Sequence, residues 1–416
     1  MVDFTAEVAG AQLAAPLREW CARVLRVMKT LGIYVQVPFC QTRCTYCNFH
    51  TGVVSSARFA PYVNCVCAEI VGRRGLYEAA GIVLPAGLAE AVVDTVYIGG
   101  GTPSLLDAGH LARIVDAIRG NFVAEQREVT LEADPETVTE EKAAAWVAAG
   151  INRVSFGVQS FCDAELQAAG RMHRRADVYR AAAILRGAGI ANISFDLIAG
   201  LPKQTRASWR ESLDSLVELA PEHVSVYLLE VDEGSRLGSE LLRGGNRYSA
   251  GDVPGDDEMA EFYETACSVL EAAGYQHYEI SNWAKPGYAS RHNLKYWRRE
   301  PYLGFGAGAH SFSGTERWAN AHDAAGYVGA VTAGRLPVEQ LEKLTAESAL
   351  EEELFLGLRQ LEGIDVGRIE REYGVSLDAR FARLTSAGLI EREGSLVRLA
   401  PGRVSVSNEV FVELMK

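Results

Sequence analysis

The sequence predicts an α/β protein, a parallel sheet with crossover helices, either open or curled into a partial barrel, with a small helical module behind it. Two patterns carry that expectation. Short β-rich runs alternate six times with helical stretches, the arrangement that parallel strands joined by crossovers require. From about residue 340 the order changes to helix, helix, helix, hairpin and closing helix, as in a winged-helix-like module.

Each unit is legible in turn. IYVQV (33–37) precedes a helix predicted near 57–80, and TVYIGG (95–100) precedes one near 107–120. EVTLEAD (128–134) leads to a helix near 138–149, and RVSFGVQ (153–159) to helices near 163–188. NISFDLIAG (192–200) is followed by a helix near 206–219, and HVSVYLLE (223–230) by one near 256–273. Ahead of them, residues 1–31 have helical spacing through Leu17, Trp20, Cys21, Val24 and Val27, an appendage in which Met28 is an alternative start. The stretch near 275–335 breaks the pattern with YQHYEISNWAKPGY and RHNLKYW, rich in aromatics, Gly and His. The domains expected are therefore 1–31, a helical extension; 32–275, the β/α barrel; 276–335, an aromatic and Gly-rich segment packed on it; and 336–416, the winged-helix-like module. The hairpin of that module is LIEREGSLVRLA. Glu351, Glu352 and Glu353 open it and no basic stripe follows, which favours a structural or docking role over DNA binding.

Composition narrows the function. The chain has 416 residues, 48% apolar and 23% charged, an ordinary globular balance. No apolar run approaches a membrane span, and Asp3 and Glu7 stand where a signal peptide would be basic. A net charge of −13 disfavours a general nucleic-acid binder. The eight cysteines are Cys21, Cys40, Cys44, Cys47, Cys65, Cys67, Cys162 and Cys267. One cluster in a long chain points to metal or redox chemistry rather than to a disulfide framework. The five outside the cluster read as small buried hydrophobes.

The unusual polar residues fall after the strands, where α/β proteins build their sites. Cys40, Cys44 and Cys47 follow the first strand and GGGTPS (99–104) the second. Glu132 closes the third, Gln159 the fourth and Glu230 the sixth, while Asp196 lies in the fifth. GGGTPS lacks the ending of a phosphate loop, and its glycines do not fit the dinucleotide fingerprint. Three of them let a backbone pass close to a ligand. Three thiols within VPFCQTRCTYCNFH (37–50) have two readings. With His50 they make a C-x3-C-x2-C-x2-H zinc set. Alternatively they bind three irons of a [4Fe–4S] cluster and leave the fourth open to another ligand.

C-x3-C-x2-C after the first strand and GGGTP after the second resemble the radical S-adenosylmethionine (SAM) superfamily. The segments IYVQVPFC, GGGTPSLL, LEADPET, RVSFGVQSF, GRMH, FDLIAGLPKQT and HNLKYW are similar, in order, to the oxygen-independent coproporphyrinogen III oxidases and their relatives, over roughly 32–416. The resemblance implies a six-stranded partial barrel. It also implies a [4Fe–4S] cluster on Cys40, Cys44 and Cys47, with SAM on the open iron. By the same resemblance Tyr34, Tyr46, Gly100, Gly101, Thr102, Glu132, Gln159, Arg171 and Asp196 contact SAM.

Two features point to the heme-chaperone branch, HemW. The oxidase pattern has a further cysteine where this chain has Phe49, and HNLKYW (292–297) matches that branch's H-N-x-x-Y-W motif. His292 is then the candidate axial or covalent heme ligand, with Tyr296 and Trp297 stacking on the porphyrin, whereas His277 and His310 read as structural. The implied function is heme binding and transfer to an acceptor hemoprotein such as a respiratory enzyme, with an external electron donor for the cluster. A cytoplasmic location is expected from the composition and the N-terminal acids, with peripheral membrane association left open. Radical chemistry on a substrate stays open. The alternatives are coproporphyrinogen decarboxylation in porphyrin biosynthesis and a zinc-stabilised interaction module.

Overall fold

In the computed structural model, which describes residues 30–415, the six expected strands lie side by side in chain order and pair in parallel. They are β1 (Thr30–Val37), β2 (Val92–Gly100), β3 (Ala124–Ala133), β4 (Arg153–Gln159), β5 (Asn192–Ala199) and β6 (His223–Leu228). The predicted appendage, with Cys21 and Met28, lies outside the described residues except for its last two, which open β1.

The period of two sorts the strands into two faces. Ile33, Val35, Val96, Ile98, Val129, Leu131, Val154, Phe156, Ile193, Phe195, Val224 and Val226 are almost completely buried in one apolar cluster. That cluster is shared with α1 (Phe59–Ala79), α2 (Ala108–Asn121), α3 (Glu140–Ala149), α5 (Arg175–Ala188), α6 (Arg206–Leu219) and α8 (Asp256–Ala272). Two shorter helices, α4 (Asp163–Ala168) and α7 (Arg236–Leu242), fill the loops after β4 and β6. Each large side chain in such a layer stabilises the fold by about 1.5–3 kcal/mol. The alternate positions are polar and face the concave side: Thr95, Glu128, Thr130, Glu132, Arg153, Ser155, Ser194, Asp196, His223 and Ser225. A sheet with a polar inner face needs partners within it, and both ends of this lumen supply them.

The expected packing segment is part of the sheet itself, extending it at both edges to twelve strands. Beyond β6 lie β8 (Asn282–Ala284) and β7 (Gln276–Glu279), both antiparallel to their neighbours. Between them and the other edge runs α9 (Arg291–Trp297). Beside β1, β9 (Tyr302–Phe305) pairs in parallel, followed by β10 (His310–Phe312), β11 (Glu316–Asn320) and β12 (Val338–Lys343). The helix α10 (Ala324–Thr332) joins the last two. The sheet thus claims residues 338–343, which the sequence assigns to the C-terminal module.

That module has its own core, built on α11 (Ala346–Leu358), α12 (Val366–Tyr373), α13 (Asp378–Ser386) and α14 (Ser407–Leu414). A three-stranded sheet of β13 (Ile364–Asp365), β14 (Ile390–Glu393) and β15 (Leu396–Leu399) completes it. Its acidic opening docks it. Glu352 pairs with Arg299 at 3.2 Å and with Arg317 at 2.6 Å, and Glu353, paired with Arg368 inside the module at 2.7 Å, reaches Arg299 at 3.9 Å. Of the scattered cysteines, Cys65 is buried as expected. Cys67, Cys162 and Cys267 are only half-buried, because each sits at the edge of its helix's buried face or at a helix start.

On the β1 side a buried acid ties the added strands to the first helix. Glu69 of α1 accepts hydrogen bonds from Tyr327 Oη (2.5 Å), Asn320 Nδ2 (2.8 Å) and the Gly306 N–H (2.9 Å). Burial pushes its carboxyl up to about 7. A folded-state value above the unfolded one gives a contribution that is complete below about pH 4.5 and lost as pH rises through about 7. Urea denaturation between pH 5 and 8 tests this. Glu69→Gln should flatten the decline in stability by about 3 kcal/mol at most, and identical slopes for variant and wild type would exclude Glu69 as its source.

Candidate cofactor site

The carboxyl ends of the strands open into a chamber of about 650 Å3. Cys40, Cys44 and Cys47 line it together with Tyr46, Gly100, Gly101, Thr102, Glu132, Gln159, Arg171 and Asp196. The polar residues after successive strands therefore meet in one place.

The cysteine loop is positioned by backbone hydrogen bonds. Phe39–Cys40 pairs in parallel with Gly52–Val53, so that the loop leaves and rejoins the rim at one point. The Thr45 N–H donates to the Ala169 carbonyl (3.0 Å), and the Leu237 N–H of α7 donates to the Thr45 carbonyl (2.8 Å). On the other side the Gly101 N–H reaches the Val37 carbonyl (2.8 Å) and the Thr102 N–H the Phe39 carbonyl (2.6 Å). All three thiols are free and half-buried. Burial raises Cys40 and Cys47 above the usual thiol range. Thiols of that kind become thiolates when a metal compensates the charge.

The glycine run is explained by this crowding. A Cβ on Gly99 would stand 2.8 Å from Tyr97 Cε1 and 2.9 Å from Glu132 Cδ. Gly100, at φ +112°, holds a left-handed conformation and packs on the Gln36 amide. A Cβ on Gly101 would stand 2.5 Å from the Phe39 carbonyl oxygen and 3.0 Å from Cys40 Sγ. The glycines thus let β2 lie against the cysteine loop.

Glu132 accepts from Tyr97 Oη and from the Gly100 N–H, both at 2.8 Å. Burial pushes its carboxyl up to about 7 despite these donors. Burial likewise raises Asp196, whose Oδ2 accepts from Ser155 Oγ at 3.3 Å. Two half-buried carboxyls above their usual range suit a cationic or hydroxyl-rich ligand that would complete their solvation. Arg171 is held by Asp134, by the Gly157 carbonyl (2.7 Å) and by Cys44 Sγ (3.5 Å). Gln159, at φ +66°, is a left-handed non-glycine residue at the end of β4, and its amide turns back toward Gly157. Asp134 was within reach of sequence reasoning, since it directly follows β3, two residues beyond Glu132, where such sites form.

Some residues lie elsewhere. Tyr34 is one layer below the chamber, where its Oη donates to Gln36 Oε1 (2.5 Å), the residue under Gly100. His50 stacks on His322 with ring centroids 3.9 Å apart and does not join the thiols. Phe49 is 66% exposed on the rim.

His292 departs most from expectation. It lies at the amino end of the strands, 1% exposed, with Nδ1 2.9 Å from Thr95 Oγ1 and Nε2 2.9 Å from Tyr296 Oη. Its backbone N–H reaches Glu128 (3.0 Å), and burial pushes its imidazole down to about 3. A side chain on Gly32 would stand 3.3 Å from its ring. Five residue steps along β2 lead from Thr95 to Gly100, about 16 Å at the usual rise. His292 therefore plugs the floor of the barrel, and neither ring nitrogen is free for iron. Tyr296 packs edge-on against His292 and Tyr302, and Trp297 carries the Arg359 guanidinium at 4.5 Å. His277 stacks on Trp283 at 4.0 Å, a structural role, while His310 is exposed on its strand.

Sequence reasoning missed the other wall of the chamber, made by Tyr263, Ile280, Arg359, Val404, Ser407 and Asn408. These belong to α8, to the turn between β7 and β8 and to the C-terminal module, and nothing in their local sequence marks them.

The geometry agrees with the comparisons. The family model described as the radical SAM superfamily matches residues 34–216, and that of the HemN C-terminal domain matches 344–401. A protein of Bacillus subtilis named heme chaperone HemW is 36% identical over 384 residues, covering 91% of this chain and 97% of its own. A Mycobacterium tuberculosis protein of the same name is 36% identical over 381 residues, covering 90% and 92%. The chain belongs to the HemW family of radical SAM proteins. The solved structure of coproporphyrinogen III oxidase (HemN) from Escherichia coli superposes with a TM-score of 0.80 over 94% of this chain and 92% of its own, at 21% identity, and shares the fold. Membership of the superfamily implies a [4Fe–4S] cluster and SAM, and the three free thiols with the glycine cradle suit that pair. Among the described residues no helix is long and apolar enough to cross a membrane.

Gly101→Ala should push Cys40 aside, lowering anaerobically reconstituted iron and sulfide to less than about half of wild type. Gly109→Ala, with open space at its Cβ, serves as the control. Equal iron content in both variants would show that the close approach at Gly101 is dispensable.

Proposed function

We propose that this HemW-family protein binds heme and passes it to an acceptor hemoprotein, while carrying a [4Fe–4S] cluster on Cys40, Cys44 and Cys47. In this reading SAM occupies the chamber against Tyr46, Gly100, Gly101, Thr102, Glu132, Gln159, Arg171 and Asp196, with Tyr34 acting through Gln36. The observation that carries it is the meeting of three unpaired thiols and two half-buried carboxyls in one chamber of a chain 36% identical to proteins named as heme chaperones. The bound cluster would supply a vacant iron site and one electron from an external donor.

The protein's own contribution is positioning. Glu132 and Asp196 offer acceptors to an ammonium or to ribose hydroxyls, and Arg171 offers a cation to a carboxylate. The Tyr97 hydroxyl and the Gly100 N–H hold Glu132 in place before anything binds. Phe49, where the oxidase pattern has a further cysteine, argues against coproporphyrinogen decarboxylation.

The test is an anaerobic titration of cluster-loaded protein with hemin, followed by the Soret band. Saturable binding near one heme per chain is expected, and the absence of any Soret shift would sink the reading. A second expectation concerns SAM. Glu132, pushed up to about 7, loses its proton as pH rises through that value, so affinity for the cationic ligand should increase between pH 6 and 8. Equilibrium dialysis should show that increase in wild type and a flat profile in Glu132→Gln.

A further inference from the structure

On the heme-binding reading above, the tetrapyrrole needs a place, and His292 offers none in this structure. We propose that it enters the cofactor chamber itself, and that Arg359, seated on Trp297, is the cation that takes one of its carboxylates. The conclusion rests on what the three arginines lining the chamber are doing. Arg171 is occupied by Asp134, the Gly157 carbonyl and Cys44. Arg43, exposed on the cysteine loop, donates to the Gly234 carbonyl at 3.4 Å. Arg359 has one ion-pair contact, Nη2 to Glu279 Oε2 at 3.6 Å, longer than a hydrogen bond. Its Nε is buried without a hydrogen-bond partner.

A guanidinium in that condition is held but not satisfied. Trp297 supports it from one face at 4.5 Å, and Glu279, completely buried, compensates its charge from a distance. Glu279 Oε1 is already taken by Asn282 Nδ2 and by the Ser281 N–H at 3.2 Å. The backbone around Arg359 is fixed as well, since the Ile280 N–H donates to its carbonyl (3.2 Å) and Leu361 N–H donates to Tyr278 (3.1 Å). The guanidinium lines the chamber with its hydrogen-bonding capacity incompletely used, so it can donate to a carboxylate there.

The rest of the chamber selects the ligand class. Phe49, Met172, Tyr227 and Leu228 all line it and are between 37% and 66% exposed, an apolar collar that large side chains rarely form without a purpose. A flat apolar body with carboxylate arms fits a collar of that kind with a cation behind it. Tetrapyrroles with propionate side chains are that class. The H-N-x-x-Y-W segment then serves heme at one remove: His292 plugs the barrel floor, and Trp297 carries the arginine.

The decisive comparison uses cluster-loaded protein, hemin and hemin dimethyl ester, whose propionates are blocked, in one detergent-containing buffer. Wild type should bind hemin about ten- to a hundredfold more tightly than the ester. Arg359→Gln should lose that preference while binding the ester and SAM as wild type does, and Arg359→Lys should recover part of it. Equal affinity of wild type for hemin and ester, or an Arg359→Gln variant with an undiminished preference, overturns the assignment. So does a parallel loss of SAM binding in Arg359→Gln, since the arginine would then act on the whole chamber. No hemin binding by wild type overturns instead the reading on which the assignment rests.

Discussion

Everything in the barrel follows from the need to satisfy a polar lumen at both ends. Six parallel strands turn their apolar face to the helices and leave Thr95, Glu128, Glu132, Arg153, Ser155, Asp196 and His223 facing inward. Water could solvate such a layer, but a flooded lumen would support no packed floor. The chain meets the demand at the amino end with α9, whose N-terminal N–H groups reach Glu128 and whose His292 reaches Thr95. At the carboxyl end it leaves the carboxyls raised and incompletely solvated. One end is therefore closed by protein, and the other opens into the chamber.

The two ends are coupled through Tyr97. Its hydroxyl holds Glu132 at the chamber while its ring stacks on His292 at 5.3 Å. A change in the floor would thus shift the carboxyl that faces the chamber, although the histidine lies at the opposite end of the barrel.

The sequence made the barrel legible because its alternation is strong. The strand Arg153–Gln159 was bounded to the residue, since a valine–phenylalanine alternation with polar partners has one reading as a half-buried strand. The site was legible where local sequence carries chemistry: three thiols, three glycines, and acids at strand ends. It was illegible where the third dimension decides. Residues 276–343 look irregular because they feed short strands to both edges of one sheet, and no local period records that. Arg359 sits in an ordinary-looking helix end and gains meaning only from Trp297, Glu279 and the chamber. The surroundings of His292 were illegible for the opposite reason. A histidine beside tyrosine and tryptophan reads as a heme contact, whereas burial with both nitrogens engaged makes it a plug.

That distinction bears on how a chaperone could differ from an enzyme on the same fold. A carrier must release its cargo, so coordination through a buried imidazole would demand that the barrel floor break and reform at each transfer. Holding heme by a carboxylate on Arg359 and by contacts with an exposed apolar collar requires no such rearrangement. Both interactions are with residues that line the open chamber, where an acceptor could compete for the same propionates and the same ring face. Reversible delivery is physically simpler from a rim than from a core.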